Sequence, residues 1–350
     1  MRARGFGGFL AAAILAGCAP QTGAPAAPAA GFGGVAARPS DLTVTPLNVP
    51  ASQFPTATTT ELTGIRGDLI SATVTLSGGA TVGAVYSRTA KSWTQLQVPG
   101  SASTAAYGPA LARSGYRIVG SYKDAASSGD RGFAYDSATK RYSTIDAPAK
   151  LCAPKSCNYT IAHSAYGTGA YQVVGNYDAV DPYAGAAPEG TYPASGHAFL
   201  YDSATRAFST IDVPGAISTT AYGIWIDGST TAVAGGYTDG KGVHAYVRAL
   251  GSKKDMLVYN YPHAAITHFE GITGNGGAGN YNVVGDYSAA RNAAVVYGFF
   301  LTVSDWKAGT PVVIGKVSAN SVYGRTAVGI YQNDGKPSGY YVSVPVVDPP

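Results

Sequence analysis

Charge is scarce in this 350-residue chain: Asp, Glu, Lys and Arg together make up 13%, and the formal net charge is only +4. Lys and Arg are scattered rather than gathered into a stripe, which argues against a nucleic-acid partner. Cysteine is nearly absent, with three residues, and methionine more so, with two. No long stretch carries the 3.6-residue apolar period of a helix. A Gly-x-Ser-x-Gly elbow, a His-Glu-x-x-His pair, a P-loop and a dinucleotide fingerprint opening a helix are all missing. Those absences remove the common signatures of hydrolases, metalloproteases and nucleotide-binding proteins. What remains is rich in Gly (46) and Tyr (25), with much Val and Thr. That is the composition of an all-β domain.

At the N-terminus, Arg2 and Arg4 precede an apolar run through Phe9, Leu10, Ile14 and Leu15. The run reads as a secretory signal, too short to span a membrane stably. It ends Leu15-Ala16-Gly17-Cys18, which resembles the lipobox of bacterial lipoproteins. The resemblance implies a signal peptide over residues 1–17, a lipid on Cys18 that ties the protein to a membrane, and, with Ala19 rather than Asp next, passage to the outer membrane of the cell envelope. The alternative is an ordinary cleaved signal with Cys18 an incidental thiol. Residues 18–41 are Ala, Gly and Pro with almost no large apolar side chain, a flexible tether. Residues 42–350 are long enough for one sizeable all-β domain. In an exported chain Cys152 and Cys157, five apart, read as one disulfide closing a small loop. Two thiolates with no second pair are too few for a metal site, and no cofactor is implied.

The body of the chain repeats. Tyr201–Pro214 reads YDSATRAFSTIDVP, Tyr135–Pro148 reads YDSATKRYSTIDAP, and Tyr86–Pro99 reads YSRTAKSWTQLQVP. Each is a strand, a tight polar turn and an alternating strand closed by a Pro that cannot join a ladder. Upstream of each hairpin stands an aromatic- or apolar-Gly mark, followed by a Val-Gly-x-Tyr-type strand in all units but the first, where Ile70–Leu76 stands instead. The Gly marks fall at Gly64, Gly108, Gly167, Gly223, Gly271 and Gly324, a spacing of about 52 residues, near that of a four-stranded propeller blade. The last unit lacks its fourth strand, while Val44–Pro50 superposes on Trp93–Pro99 residue for residue. The expectation is a six-bladed β-propeller in which the N-terminal strand completes the last blade and hides both sheet edges. Trp93 and Phe208, at one fourth-strand position, are expected between blades.

The segments His197-Ala198-Phe199-Leu200-Tyr201 and His244-Ala245-Tyr246 resemble the bacterial extracellular HAF-repeat family, over about Leu62 to Val344. The aligned His is replaced by Val82, Arg131, Tyr297 and Ser338 in the other units. The resemblance implies an exported propeller-type repeat protein and no defined activity.

For chemistry the sequence offers loops. The stretch from Pro148 to Gly167 is about ten residues longer than Pro99 to Gly108 or Pro214 to Gly223, and Asp178–Ser195 is a second insertion in the next connection. In an up-and-down blade both emerge on one face, where extended loops often bind. Candidate ligand contacts there are Lys155, Tyr159, His163, Asp178, Asp181, Tyr183, Glu189 and Tyr192. Asp178 and Asp181 also suit a solvated loop, the start of a hard-cation site or a general acid–base pair. His197 and His244, sharing one repeat position, read as structural. Tyr107, Tyr166, Tyr222 and Tyr323 either stack on a flat ligand in the channel or pack between blades. The reading is a non-enzymatic binding module for a protein or glycan. The alternatives are a carbohydrate hydrolase or lyase at the channel mouth, which needs two carboxylates there, and a purely structural envelope protein. Glu270 is the sole acidic residue that the repeat marks place near a first-strand Gly.

Overall fold

The structure, a computed structural model, describes residues 42–125, 129–181, 195–289, 295–333 and 335–346. Among them there is no α-helix; a single 3-10 turn, Ala149–Cys152, interrupts the strands. The chain begins with β1 (Val44–Pro46). Then β2 (Ala57–Arg66), β3 (Leu69–Leu76), β4 (Thr81–Ser87) and β5 (Ser92–Leu96) form one antiparallel sheet in chain order. A second sheet holds β6 (Ser101–Leu111), β7 (Tyr116–Asp124), β8 (Arg131–Asp136) and β9 (Arg141–Ile145). The third holds β10 (Tyr159–Tyr166), β11 (Gln172–Asp178), β12 (His197–Asp202) and β13 (Ala207–Thr210).

A nine-stranded sheet follows. It contains β14 (Ser218–Asp227), β15 (Thr230–Thr238), β16 (Val243–Ala249), β17 (Met256–Tyr259), β18 (Ile266–Gly274), β19 (Tyr281–Ser288), β20 (Tyr297–Ser304), β21 (Lys307–Ala308) and β22 (Val312–Gly315). Its two halves join through one parallel pair, Val243 with Ile266. The last sheet is β23 (Val317–Tyr323), β24 (Thr326–Asn333) and β25 (Lys336–Ser343), and its fourth strand is β1. The arrangement is propeller-like.

The repeated hairpin folds for local reasons. Asp202 Oδ1 accepts the N–H groups of Ala204 and Thr205 at 2.9 and 3.0 Å, an Asx turn, and Arg206 then takes φ 57°. Asp136 accepts from Thr139 N–H at 3.0 Å before Lys140 at φ 54°. Trp93 and Phe208 are half-buried: each packs on a tyrosine of its own hairpin, Tyr86 at 5.1 Å and Tyr201 at 5.0 Å, and against a core cluster shared by two neighbouring sheets.

A second device recurs between sheets. The N–H just before these closing Pro residues donates to a Thr hydroxyl on the next inner strand. The pairs are Val49 to Thr60 (3.2 Å), Val98 to Thr104 (3.0 Å), Ala147 to Thr160 (3.0 Å), Val213 to Thr219 (3.1 Å) and Tyr261 to Thr267 (3.0 Å). Each satisfies a buried donor that the Pro leaves outside the ladder.

The innermost strands meet around an axis. In every one the ladder slips at an equivalent point: Leu62/Gly64, Ala106/Pro109, Ala162/Ser164, Ala221/Gly223, Phe269/Gly271 and Ala319/Ser321. The bulge lets each strand lie against the next. A Cβ on Gly108 would come within 2.6 Å of His163 O and Ser164 Cα, so only Gly permits that approach. The circle closes between β23 and β2: Asn320 Nδ2 donates to Leu62 O at 2.8 Å, and Ile65 N–H donates to Ser321 Oγ at 3.3 Å.

These bulges correct the expected repeat register in two units. Ser164 and Ser321, not Gly167 and Gly324, stand at the bulge. The Tyr-Gly pairs 166–167 and 323–324 fall at the far ends of β10 and β23 instead.

Candidate functional site

The disulfide forms as expected: Cys152 and Cys157 are bonded, with Cα atoms 5.3 Å apart. It closes an exposed loop carrying Lys155. The two insertions also meet. Asn158 N–H donates to Asp178 O at 3.0 Å, and Asn158 Nδ2 donates to Ala179 O at 3.0 Å. Asp178 is held in place by three donors: Ala179 N–H (2.6 Å), Val180 N–H (3.3 Å) and Ser195 Oγ (2.5 Å). Tyr159 opens β10 here, half-buried, and burial with the charges of Asp181 and Asp130 pushes its phenol up. Tyr183, Glu189 and Tyr192, like Cys18, lie outside the described residues.

His163 does not belong to this face. It occupies the bulge of β10 and points into the channel, where Nε2 donates to Asn176 Oδ1 at 2.8 Å. Burial pulls its imidazole down to about 4, so it is neutral at ordinary pH. The misplacement follows from the register: the sequence reading started this inner strand too late.

His197 and His244 are structural, clamping the start of one strand to the end of the next. His197 Nδ1 donates to Asp212 Oδ2 at 2.6 Å, and that bond raises the imidazole. His244 Nδ1 donates to Asn260 Oδ1 at 2.6 Å, while its Nε2 sits 3.0 Å from Asp239. Arg131 does the same work at the equivalent place, donating to Asp146 at 2.8 Å.

The channel brings together residues that the sequence named separately and others that it did not single out. Its bulge layer is Thr63, Tyr107, His163, Tyr222, Glu270 and Asn320, the residue on each strand that the slip displaces. Tyr107 and Tyr222 flank His163 at 5.2 and 4.7 Å between ring centroids. Two residues earlier stand Glu61 and His268. Burial, helped by the charge of Glu270, pushes the Glu61 carboxyl up to about 8. Burial would pull His268 down, but Glu270 at 2.8 Å outweighs it and holds the imidazole raised. Behind them burial lifts Asp286 to about 6, although its oxygens accept from Ser318 Oγ (2.6 Å) and Ala319 N–H (2.8 Å). The cavity left between Arg66, His163, Tyr222 and Glu270 measures about 20 Å³, room for about one water molecule. Among the described residues no group of three or more His, Cys, Asp or Glu is placed to hold a metal ion.

Glu61 was visible, three residues before Gly64, as a lone carboxylate in a Thr-rich strand. Its partners on β18 lie some two hundred positions away, which no local pattern reveals.

No protein-family model matches the chain, and no curated protein matches it significantly. Among solved structures it is similar to YjhT, at 12% identity and a TM-score of 0.51, covering 87% of this chain and 97% of that one. It is also similar to TolB from Acinetobacter baumannii (11%, TM-score 0.44, 80% and 65%) and to an oligogalacturonate lyase in complex with manganese (12%, TM-score 0.42, 87% and 96%). At such identities the likeness concerns the fold alone. With the sheet arrangement above, it makes this chain an all-β protein of β-propeller type.

Proposed function

We propose that the chain is an exported, lipid-anchored, six-bladed β-propeller that acts as a non-enzymatic binding module for an envelope or extracellular protein or glycan. Six blades follow if the nine-stranded sheet is divided at Val243–Ile266, its single parallel pair, since both halves carry the same inner-strand bulge. Export and the anchor at Cys18 rest on the N-terminal signal and on the HAF-repeat resemblance.

The observation that carries the binding reading is the junction of the two insertions. A disulfide-closed loop and the β11–β12 connection are hydrogen-bonded to one another through Asn158. Pre-organised loops of this kind lose little entropy on meeting a ligand. Lys155, Tyr159, Asp178 and Asp181 remain the described contacts, with Tyr183, Glu189 and Tyr192 continuing the same connection.

The hydrolase or lyase alternative draws on Glu61, neutral, opposite Glu270, ion-paired to His268: two carboxyls with separated roles. Against it stands the cavity beside Glu270, which at about 20 Å³ leaves no space there for a sugar ring. The test is a double substitution, Lys155→Ala with Asp181→Ala. It should weaken a bound ligand by about tenfold or more with an unchanged melting temperature. A ligand held equally by variant and wild type would exclude this face.

A further inference from the structure

At the opposite end of the channel, where the turns joining first to second strands emerge, Arg66 crosses the axis. It is the last residue of β2, and it is only 8% exposed. Its guanidinium reaches β14, where Nη2 donates to Ile224 O at 3.5 Å. The planar group lies 4.6 Å from the Trp225 ring and 4.8 Å from the Tyr166 ring. Trp225 packs in turn against Tyr166 (5.2 Å) and Tyr323 (6.5 Å), so two half-buried rings lie on the cation and a third backs Trp225. Among the described residues no carboxylate comes within ion-pair reach of Arg66, and the Ile224 hydrogen bond is long. Glu270, which lines the same cavity, is engaged by His268 at 2.8 Å.

A structural arginine this deeply placed is ordinarily matched by a carboxylate, because burying a lone charge is expensive. Aromatic faces supply part of that compensation. They do not use the planar fork of N–H donors, which fits a carboxylate bidentately. Burial accordingly lowers this arginine to about 10, with the Tyr166 and Tyr323 phenols opposing the shift.

We propose that this end of the channel is a second binding site, for a saccharide bearing a carboxylate, of the uronic-acid type. Arg66 takes the carboxylate, and Trp225 stacks on the apolar face of the sugar ring, with Tyr166 edge-on and Tyr323 tilted beside it. The surrounding surface favours approach of an anion: Lys91, Lys140 and Arg206 project from the outer turns of the same end, exposed and in left-handed conformation. The nearby carboxylates Asp136 and Asp202 are tied into their own turns. This site goes beyond the loop-face reading and stands on the other side of the molecule.

The experiment is calorimetric titration of the full-length mature protein with a glucuronate-containing oligosaccharide, beside the same oligosaccharide with its carboxyls reduced to alcohols. The wild type should bind the acidic form and not the reduced one, with a change in tryptophan fluorescence from Trp225. Arg66→Lys, which keeps the charge and loses the fork, should weaken binding by about tenfold or more, and a variant lacking residues 182–192 should bind as wild type does. Equal binding of both sugar forms, or no binding of the acidic form, would overturn the proposal without recourse to any variant. Undiminished binding by a folded Arg66→Met protein would overturn it as well. Binding lost with residues 182–192 would overturn it too, assigning the sugar to the loop face.

Discussion

Asn48 Oδ1 accepts the N–H of Gly339 at 3.0 Å, although 291 positions separate the two residues. The bond reproduces, at the seam, the one Asp212 Oδ1 makes with Ala198 N–H at 2.8 Å inside the third sheet. The backbone bond beside it is also matched: Leu47 N–H to Gly339 O and Ile211 N–H to Ala198 O are both 2.9 Å. The N-terminal segment therefore takes the place of a fourth strand, atom for atom. Replacing Asn48 by Ala leaves the Gly339 N–H without its acceptor and should destabilise the protein by about 1–2 kcal/mol in urea unfolding. Deleting Leu42–Pro50 should lower stability far more; a deletion variant that melts like wild type would contradict the seam.

The inner-strand bulges depend on Gly at the points of closest approach. Gly108→Ala should destabilise by about 2 kcal/mol or more, because the new Cβ would press into the backbone at His163 and Ser164. Gly78→Ala is the control. Nothing lies within 4 Å of a Cβ there, so denaturant midpoints should stay within about 0.5 kcal/mol of wild type.

The channel groups make stability depend on pH with a definite sign. Glu61 titrates near 4.5 in the open chain and at about 8 when folded. Between those values the folded protein holds a proton that the unfolded chain has released, so stability falls as pH rises toward 8. His268 and His197, both raised, contribute stability below 6.5 that fades in the same direction. Asp286, at about 6 instead of 3.8, acts likewise but only at lower pH. His163, lowered from 6.5 to about 4, acts oppositely: its share is lost as pH falls through that window. Above pH 6.5 the net trend should be downward. Glu61→Gln, which stays neutral, should reduce the slope of unfolding free energy between pH 6.5 and 8. An unchanged slope would show that Glu61 does not titrate there.

The disulfide should matter modestly. Closing so short a loop restricts the unfolded chain by about 2 kcal/mol, and Cys152→Ser with Cys157→Ser should lose about that much in guanidinium unfolding. Ligand affinity at the loop face should fall further than stability does, since the staple orders the loop that makes contact.

The seam was legible in the sequence because the fourth strand ends in an alternating run and a Pro, and Val44–Pro50 repeats that signature at the wrong end of the chain. The cysteine pair was legible from its spacing together with the expected export. The register of the inner strands was legible where Gly marks the bulge, at Gly64, Gly108, Gly223 and Gly271. It failed at Ser164 and Ser321, where a small hydroxyl residue serves instead and a Tyr-Gly pair three positions later imitates the mark. That slip sent His163 to the loop face and split the repeated tyrosines, of which Tyr107 and Tyr222 face His163 while Tyr166 lies on Arg66 and Tyr323 packs on Trp225. The roles of Glu61, Asp286 and Arg66 were not legible. Ionisable residues in strands look like solvated edges until ring closure brings strands from both ends of the chain together.

The central claim, recognition through the disulfide face, is tested most directly by binding. The Cys18→Ser protein, which lacks the acceptor of the proposed lipid, and the same protein lacking residues 182–192 would be applied to glycan arrays and to isolated envelope fractions. The account predicts saturable binding by the first and its loss in the second, with circular dichroism unchanged. Binding that survives removal of the connection, or none from the intact protein, would contradict it.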